Sequence, residues 1–347
     1  MSEEEIETPV EVEEPKPEVD LSLSQLAGLG AVSEKKLNGF GVTSLIDLCV
    51  RGSREIVEIT GTAKSKADAW VFEAQRILEQ AGLVRDTTMS VTELMEYQEN
   101  YHRIPSKCEA VDELIGGGVV PEAVYEVYGE FGSGKTQFCN SLTVETIKDG
   151  GNVVWIDCED TFKPRRIQEI LQARGYAVDS DDSKKFLDQI TYFYTPNTEH
   201  LMGTINGLST TLQEKHPRIV IIDGSIGQFR EEYLGRGTLA ERQNQIARLM
   251  THIKNISYFF NCTVLFTNQV QSDPSIMFGD PVKPIGGNIV GHASTYRMYF
   301  KKSGRKRIAR MVDSPEHPMA DAEFTLGERG IQDVEERLKY VTLHSKS

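Results

Sequence analysis

The apolar positions of this 347-residue chain change their spacing near residue 103, and the change divides the chain into two kinds of structure. Between residues 21 and 84 apolar residues recur at helical spacing. The sequence LAGLG at residues 26–30 predicts a tight turn between helices, and Gly61 predicts a break before a helix over residues 67–83. Residues 21–84 are therefore predicted to form a small all-α unit.

From residue 103 onwards, short apolar runs alternate with longer helical patterns. The runs predicted to be strands are residues 124–128, 153–157, 190–194, 219–223 and 263–267, and helical patterns occupy residues 198–215 and 238–260. Strands that are apolar on both faces and separated by helices predict an α/β fold with a mainly parallel central sheet over residues 103–347. Since no apolar run approaches the ~18–20 residues that span a bilayer, we expect no membrane partner.

Two further segments follow neither pattern. Residues 1–20 hold nine acids, one lysine and three prolines, a composition that predicts a disordered acidic tail. Residues 85–102 are polar and lack periodicity, so they are predicted to be a linker.

The net charge of −14 argues at first against nucleic acid as a partner. The acidic tail contributes −8 of this charge, however, and the other 327 residues carry only −6. The N-terminus resembles no signal peptide, and the five cysteines are odd in number and scattered. These features predict a cytoplasmic protein whose thiols are buried and unpaired.

The most specific motif is GEFGSGKT at residues 129–136, which fits the phosphate-binding pattern G-x-x-x-x-G-K-[ST] and is called the P-loop below. Its glycines allow backbone N–H groups to point at a polyphosphate, Lys135 places charge on the β- and γ-phosphates, and Thr136 offers a hydroxyl to Mg²⁺. An ordinary glycine-rich loop is the alternative. The residues predicted to hold ATP are Gly129, Glu130, Phe131, Gly132, Ser133, Gly134, Lys135 and Thr136.

Three polar residues follow other predicted strands. Asp223 ends the run IVIID and is predicted, with Thr136, to bind Mg²⁺. Glu159 is a candidate general base for an attacking water, or else a solvated loop acid. Gln269 is a candidate sensor of the γ-phosphate, or else a polar strand end. Because the carboxyl ends of parallel strands meet at one edge, the predicted catalytic residues are Glu159, Lys135 and Gln269.

Two segments and one basic run are candidates for binding DNA. Residues 270–292 are rich in proline and glycine and directly follow Gln269, which suggests a binding loop controlled by ATP. Residues 229–242 are predicted to form a second loop that contains glycine and arginine. Residues 301–307 hold five cations and no acid, which is typical of a solvated hairpin or of part of a basic footprint.

Together these motifs resemble the archaeal RadA recombinases and their eukaryotic and bacterial RecA-like relatives. The resemblance covers nearly all of residues 21–340 and is most specific in residues 114–137, 232–243, 267–270, 280–302 and 308–318. It implies a RecA-like P-loop ATPase core preceded by a small all-α helix-hairpin-helix domain. It also implies a DNA-dependent ATPase that uses ATP and Mg²⁺, forms a filament on single-stranded DNA and exchanges strands with homologous double-stranded DNA.

The resemblance assigns further residues. Arg166 matches a residue that stacks on adenine, and Asp313 and His292 match positions that approach the nucleotide of a neighbouring protomer. The implied partners are DNA, copies of the chain itself in a filament or ring, and recombination mediators, at the nucleoid in the cytoplasm. The implied DNA-binding residues are Gly28 and Gly30 in the helix-hairpin-helix turn, Arg230 and Arg236 in or beside a first loop, and Lys283, Gly286, Gly287 and Asn288 in a second loop.

The chain also departs from the family pattern. Gly224 follows the strand-end aspartate where the family usually has serine, and the family's Phe-x-x-Ala contact between protomers is missing from the linker. Met89 and Val91 are the residues expected to replace that contact, since Met adapts to irregular pockets. Two alternatives therefore stay open: a RadA paralogue that acts as a recombination mediator, and a RecA-fold signalling ATPase without a DNA role.

Overall fold

The computed structural model describes residues 19–177, 179–233, 235–272 and 282–334, without the side chains of residues 180, 236 and 272. The acidic tail predicted for residues 1–20 lies almost entirely outside the described residues, as do residues 335–347. The helices are α1 (Ala31–Gly39), α2 (Leu45–Thr60), α3 (Lys64–Gln80), α4 (Val91–Glu99), α5 (Glu109–Leu114), α6 (Lys135–Lys148), α7 (Pro164–Ala173), α8 (Ser180–Leu187), α9 (Thr198–Lys215), α10 (Ser225–Glu232), α11 (Leu239–Phe259) and α12 (Gly287–Ala293). The strands are β1 (Val124–Gly129), β2 (Asn152–Asp157), β3 (Ile190–Tyr194), β4 (Pro217–Asp223), β5 (Thr263–Asn268), β6 (Val270–Ser272), β7 (Val282–Pro284), β8 (Tyr296–Ser303), β9 (Lys306–Asp313), β10 (Asp321–Gly327) and β11 (Gly330–Asp333).

Helices α1 to α3 share a buried apolar cluster that includes Leu37, Ile56 and Trp70. A capping box between Ser44 and Asp47 starts α2, and Gly61, with a φ of 73°, ends it as the sequence predicted. Helix α3 begins and ends three residues earlier than predicted, because the chain turns at Gly82 with a φ of 65°. The N-terminal region is thus helical, as expected.

A nine-stranded sheet in the order β11-β10-β9-β8-β1-β5-β4-β2-β3 forms the centre of the remaining chain. The strands from β8 to β3 are parallel, and β9 to β11 add an antiparallel edge. The five predicted strands correspond to β1 to β5, with bounds that differ by at most two residues. The predicted α/β fold with a mainly parallel sheet is therefore confirmed.

Apolar side chains cover both faces of this sheet, as strand β4 illustrates. Ile219 and Ile221 pack on the face covered by α6 and α7, whereas Val220 and Ile222 pack on the face covered by α9 and α11. Because successive side chains of a strand point to opposite faces, both must be apolar in a sheet covered on both sides. This explains why the sequence shows uninterrupted apolar runs.

Three segments expected to be irregular contain regular structure. The predicted linker contains α4, whose capping box between Ser90 and Glu93 starts a helix without needing apolar periodicity. Helix α10 extends into the predicted first loop because Ile226 and Phe229 bury one of its faces. In the predicted second loop, β6 and β7 form an antiparallel pair and α12 follows, while residues 273–281 lie outside the described residues.

No helix in the described part of the chain is long and apolar enough to cross a membrane. The predicted hairpin at residues 301–307 is confirmed, since it joins the antiparallel strands β8 and β9. The cysteines are buried and free, as expected from their spacing.

Candidate functional site

The P-loop connects β1 to α6, and its glycines are required by the backbone around them. A Cβ on Gly129 would overlap the carbonyl group of Phe300 on the neighbouring strand β8. Gly134 has a φ of 108°, a left-handed conformation that favours glycine. Helix α6 starts directly after it with no side-chain cap, so its first N–H groups are directed into the loop, as in helix termini that bind phosphate.

Two side chains of the P-loop are suited to a bound triphosphate. Ser133 is fully buried, and its hydroxyl has no hydrogen-bond partner in the part of the chain that the structure describes. The ammonium group of Lys135 donates to the carbonyl oxygens of Gly129 and Glu130, at 2.9 and 3.2 Å. Burial lowers the pKa of Lys135, although nearby carboxylates oppose this shift. An anion placed in the loop would offer acceptors to both groups.

Asp223, at the end of β4, lies directly beside the start of α6. Its carboxylate is 1% exposed and accepts hydrogen bonds from the hydroxyls of Thr136, at 2.9 Å, and Thr267, at 2.5 Å. Burial raises the pKa of Asp223 to about 6, although these two donors work to lower it. A carboxylate and a threonine hydroxyl are hard oxygen ligands of the kind Mg²⁺ binds, so the pair fits the predicted metal site.

Glu159 and Gln269 meet at the carboxyl ends of the parallel strands. We call this side of the sheet the carboxyl edge. The amide Nε2 of Gln269 donates to Oε1 of Glu159 at 2.9 Å. Buried Asp157 fixes the loop around Glu159, since it accepts from the backbone N–H groups of Glu159, at 3.0 Å, and Phe162, at 2.9 Å. Because β2, β4 and β5 are neighbours in the sheet, their ends bring Glu159, Asp223 and Gln269 together, as predicted.

Arg166 lies in the first turn of α7 and is held by two other elements. Its Nε donates to Oε1 of Gln137 at 2.9 Å, and its terminal nitrogens donate to the carbonyl oxygens of Gly327, at 2.5 Å, and Glu328, at 3.3 Å. The guanidinium group therefore lies between α6 and the turn that joins β10 to β11. This position is next to the P-loop helix, where the resemblance places the base of the nucleotide.

His292 and Asp313 lie near the amino ends of the parallel strands, whereas the P-loop lies at their carboxyl ends. Strand β8 runs parallel to β1, and Asp313 at the end of β9 pairs with Arg297 at the beginning of β8. His292 is exposed in the last turn of α12, just before β8. Both residues are therefore separated by the length of the sheet from a nucleotide in this chain's own P-loop.

The candidate DNA-binding residues of the core are found beyond the carboxyl edge. Arg230 is exposed in the last turn of α10, and the side chain of Arg236 lies outside the described residues. The strand pair β6–β7 begins one residue after Gln269. Strand β7 carries the exposed residue Lys283, and the turn after it holds Gly286, which has a left-handed φ of 97°. Helix α12 begins with Gly287, with a φ of 59°, and the exposed residue Asn288.

A polar contact ties the base of this strand pair to the sheet. The amide Nδ2 of Asn268 donates to Oε1 of Glu126 and to the carbonyl oxygen of Ile285, both at 2.7 Å. Ile285 in turn donates its N–H to the carbonyl oxygen of Gln269 at 3.1 Å. The start of β6 and the end of β7 are therefore both fixed to the end of β5.

The turn predicted to belong to a helix-hairpin-helix unit has an acidic neighbour that the sequence did not indicate. Gly28 and Gly30 are exposed, and Gly28 has a φ of 71°. The N–H of Ala27, directly before Gly28, donates to a carboxylate oxygen of Glu73 on α3 at 3.2 Å. This carboxylate would lie close to any phosphate bound at the turn.

The residues expected to contact another protomer lie where the linker enters α4. Val91, the first residue of α4, is 76% exposed, and Met89 is half-buried two residues before it. The exposed side chain of Val91 is available to a second chain. Met89 is partly covered by its own chain, which the sequence could not indicate.

Two residues near the P-loop were missed by sequence reasoning. Thr267 completes the hydrogen bonds of Asp223, and the ammonium Nζ of Lys302 lies 3.2 Å from the position that a Cβ on Gly132 would take. Thr267 reaches Asp223 through the pairing of β5 with β4, and Lys302 reaches the P-loop through the pairing of β8 with β1. No local spacing reveals these pairings, because the paired strands are distant in the chain.

Comparisons with known proteins agree with this arrangement. The sequence model of the family described as Rad51 matches residues 98–334. A DNA repair and recombination protein RadA from Cenarchaeum symbiosum (strain A) is 42% identical over 334 residues, which cover 94% of this chain and 83% of that protein. A second DNA repair and recombination protein RadA, from Methanoculleus marisnigri, is 33% identical over 325 residues, which cover 90% of this chain and 99% of that protein.

Proposed function

The chain belongs to the Rad51 family, and from this premise we propose that it is an ATP-dependent recombinase of DNA repair and recombination. In this proposal it assembles on single-stranded DNA, pairs that strand with homologous double-stranded DNA and exchanges strands. It hydrolyses ATP when DNA is bound. The observation that carries the proposal is the meeting of the P-loop, Asp223, Glu159 and Gln269 at one edge of the sheet.

The chemistry proposed for this edge is hydrolysis of the γ-phosphate by water. The P-loop N–H groups, Ser133 and Lys135 would bind the triphosphate, and Arg166 would lie against the adenine base. Thr136 and Asp223 would hold Mg²⁺, which supplies positive charge that neutralises phosphate oxygens when bound. Glu159 would accept the proton of the attacking water, and Gln269 would report the γ-phosphate to the segment that follows it.

The proposed DNA contacts follow from the positions of the basic and glycine-containing segments. Arg230, Arg236, Lys283 and the segment Gly286–Gly287–Asn288 would bind single-stranded DNA beyond the carboxyl edge. Gly28 and Gly30 would contact phosphates of double-stranded DNA. A recombinase acts on chromosomal DNA, so the proposed location is the nucleoid in the cytoplasm.

The proposed assembly is a chain of protomers in which each nucleotide is shared. Met89 and Val91 would bind the next protomer, and His292 and Asp313 would approach that protomer's nucleotide. Their distance from the P-loop of their own chain supports a role toward a second copy. Recombination mediators would be further partners.

Strand exchange between homologous oligonucleotides tests this function. The full chain with ATP and Mg²⁺ is expected to exchange strands, and Lys135→Ala is expected to lose both exchange and hydrolysis because the phosphate charge is no longer bound. Lys148→Ala, at the exposed far end of the same helix, is the matched control and should remain active. Exchange by the unaltered chain no better than by Lys135→Ala would contradict the proposal.

A salt titration of DNA binding separates the two alternatives. A mediator paralogue would bind single-stranded DNA without exchanging strands, whereas a signalling ATPase would not bind it even at low salt. For a true DNA binder, the logarithm of the binding constant falls linearly with the logarithm of the salt concentration.

A further inference from the structure

A glutamate lies in the middle of the central sheet, on a face that is otherwise apolar there. Glu126 on β1 is fully buried, and its neighbours on the same face, Val124 and Phe266, belong to the apolar cluster that α9 and α11 cover. A sheet covered on both faces normally has apolar side chains at such positions, and a buried charge is costly unless it is paired. The presence of Glu126 therefore has to be explained by what it binds.

Donors from the two neighbouring strands hold the carboxylate of Glu126. The amide Nδ2 of Asn268, at the end of β5, donates to Oε1 at 2.7 Å. Nε of Arg297, which lies opposite Glu126 in the pairing of β1 with β8, donates to Oε2 at 2.6 Å. Each oxygen of the carboxylate thus binds a side chain from a different strand.

Asn268 connects this carboxylate to the base of the strand pair β6–β7. The same Nδ2 donates to the carbonyl oxygen of Ile285, directly after β7, at 2.7 Å. Asn268 is 1% exposed, and its Oδ1 has no hydrogen-bond partner within the described residues. Its two acceptors, Glu126 and Ile285, therefore fix the amide between the sheet and the strand pair.

Arg297 connects the same carboxylate to α12. Its guanidinium group lies against Gly291, where a Cβ would be 3.0 Å from Nη1 and 3.3 Å from Cζ. Gly291 is buried and directly precedes His292. Glu126 is thus linked on one side to the strand pair and on the other side to the helix that carries His292.

We propose that Glu126 is a positioning residue for DNA binding, which holds the base of the β6–β7 pair and helix α12 together through Asn268 and Arg297. The inference rests on the proposed function, in which the segment after Gln269 binds single-stranded DNA and His292 approaches the nucleotide of the next protomer. A shift of α12 at that nucleotide would then move the strand pair through one buried carboxylate. Stability does not account for the charge, since a buried ion pair can often be replaced by apolar side chains without loss of stability.

The first test measures how strongly a nucleotide tightens DNA binding by Glu126→Gln. Glutamine keeps the shape of the side chain, but its single oxygen cannot reach both donors, which bind different oxygens of Glu126. The dissociation constant of the full chain for a single-stranded oligonucleotide is measured without nucleotide and with the ATP analogue AMP-PNP and Mg²⁺. The ratio of the two constants is expected to fall at least fivefold, while the affinity for AMP-PNP without DNA should stay within twofold because the P-loop is unaltered.

Glu145→Gln is the matched control for this measurement. Glu145 is also buried, with 2% of its side chain exposed, and pairs with Arg174 at 2.5 Å, but it lies on α6 at the opposite face of the sheet. Its replacement also unpairs a buried arginine, so it should cost stability while the ratio stays within twofold of the parent chain. A ratio in Glu126→Gln equal to that of the parent would overturn the inference, and so would an equal loss in both variants.

A double variant distinguishes positioning from general stabilisation. If Glu126 acts through Asn268, Asn268→Ala lowers the ratio by itself, and adding it to Glu126→Gln lowers the ratio little further. Two independent losses that multiply in the double variant would overturn the inference. If Glu126→Gln does not fold, an unchanged ratio in Asn268→Ala overturns it as well.

Hydrogen exchange without DNA separates this inference from the proposed function. Amide protection at Ile285 and in α12 is expected to fall at least fivefold in Glu126→Gln and to stay unchanged in Glu145→Gln. A parent chain whose DNA binding ignores the nucleotide would contradict the proposed function, and the exchange comparison would still decide whether Glu126 holds the two elements together. Unchanged protection of both elements in Glu126→Gln would overturn the positioning role alone.

Discussion

Asp223 is a buried carboxyl group whose pKa of about 6 lies above its ordinary value of 3.8, chiefly because burial disfavours its charged form. At pH values between these two pKa values, the folded chain holds a proton that the unfolded chain releases. The stability that this group contributes is therefore fully present below pH 3.8 and is lost as the pH rises through about 6. At neutral pH the fold carries a buried charge suited to binding a cation.

Asp223→Asn is expected to stabilise the fold and abolish Mg²⁺-dependent hydrolysis. It removes the buried charge, so the free energy of unfolding should rise by about 1–3 kcal/mol near pH 7.5 and change little below pH 4. Urea unfolding at the two pH values measures the difference.

The exposed residue Asp86 provides a control for this variant, since Asp86→Asn should leave stability unchanged at both pH values. An equal effect of Asp223→Asn at both pH values would contradict the assigned burial cost.

For single residues, the sequence predicted which side chains meet at the strand ends better than it predicted their individual contacts. It identified Asp223, Glu159 and Gln269 because each ends an apolar run, and strand ends meet at one edge of a parallel sheet. It missed Thr267 and Lys302, since their positions depend on which strands pair. That pairing is set by contacts between segments distant in the chain.

Helix α4 shows how one residue anchors an element. Glu122 accepts from the hydroxyls of Tyr97, at 2.6 Å, and Tyr101, at 3.3 Å, and forms an ion pair of 2.8 Å with Arg85. Its φ of 55° is unusual for a residue other than glycine and costs roughly 1–2 kcal/mol. The three contacts offset this cost, and they fix both ends of the segment that holds Met89.

Glu122→Gly is expected to release α4 without unfolding the core. Glycine relieves the left-handed backbone while removing all three contacts, so amide protection in α4 should fall at least tenfold and that of β1 should not change. Hydrogen exchange measures both elements in one experiment.

Glu96→Gln, on the exposed surface of α4, is the matched control and should behave like the parent chain. Unchanged protection of α4 in Glu122→Gly would show that other contacts hold the helix.

Helices and strands were predictable from the sequence where the burial of their side chains determines them. They were not predictable where a helix cap or pairing between distant segments determines them. Strands β1 to β5 are apolar on both faces, so their runs stand out in the sequence. Helix α4 depends on the capping box of Ser90 and Glu93, and the pair β6–β7 depends on Asn268 at its base. Neither produces a periodic apolar pattern.

On the scale of the whole molecule, the helical N-terminal unit is held to the core by a buried polar network. Glu55 on α2 forms an ion pair with Arg51 and a hydrogen bond of 2.8 Å with His252 on α11. Burial works to raise the pKa of Glu55, but His252 and Arg51 outweigh it and lower the pKa to about 2. The interface thus contains a carboxylate that stays charged at physiological pH.

Removal of residues 1–18 is expected to leave DNA binding equal or up to about tenfold tighter at low salt, since the acidic segment repels phosphates. Titration of single-stranded DNA at several salt concentrations measures the effect.

A chain in which the glutamates of this segment are replaced by glutamine separates the effect of charge from that of length. It should bind like the shortened chain. Weaker binding by either variant would show that the tail contributes contacts to DNA.

A single residue, Gln269, separates the end of β5 from the start of β6. Because this connection is one residue long, any displacement of Gln269 by the proposed nucleotide would also move the base of the strand pair. In thermodynamic terms the coupling is reciprocal: if ATP tightens DNA binding by some factor, DNA must tighten ATP binding by the same factor. A protomer bound to DNA would then hold its ATP more tightly. The proposed filament would therefore be most stable on the DNA that it already covers.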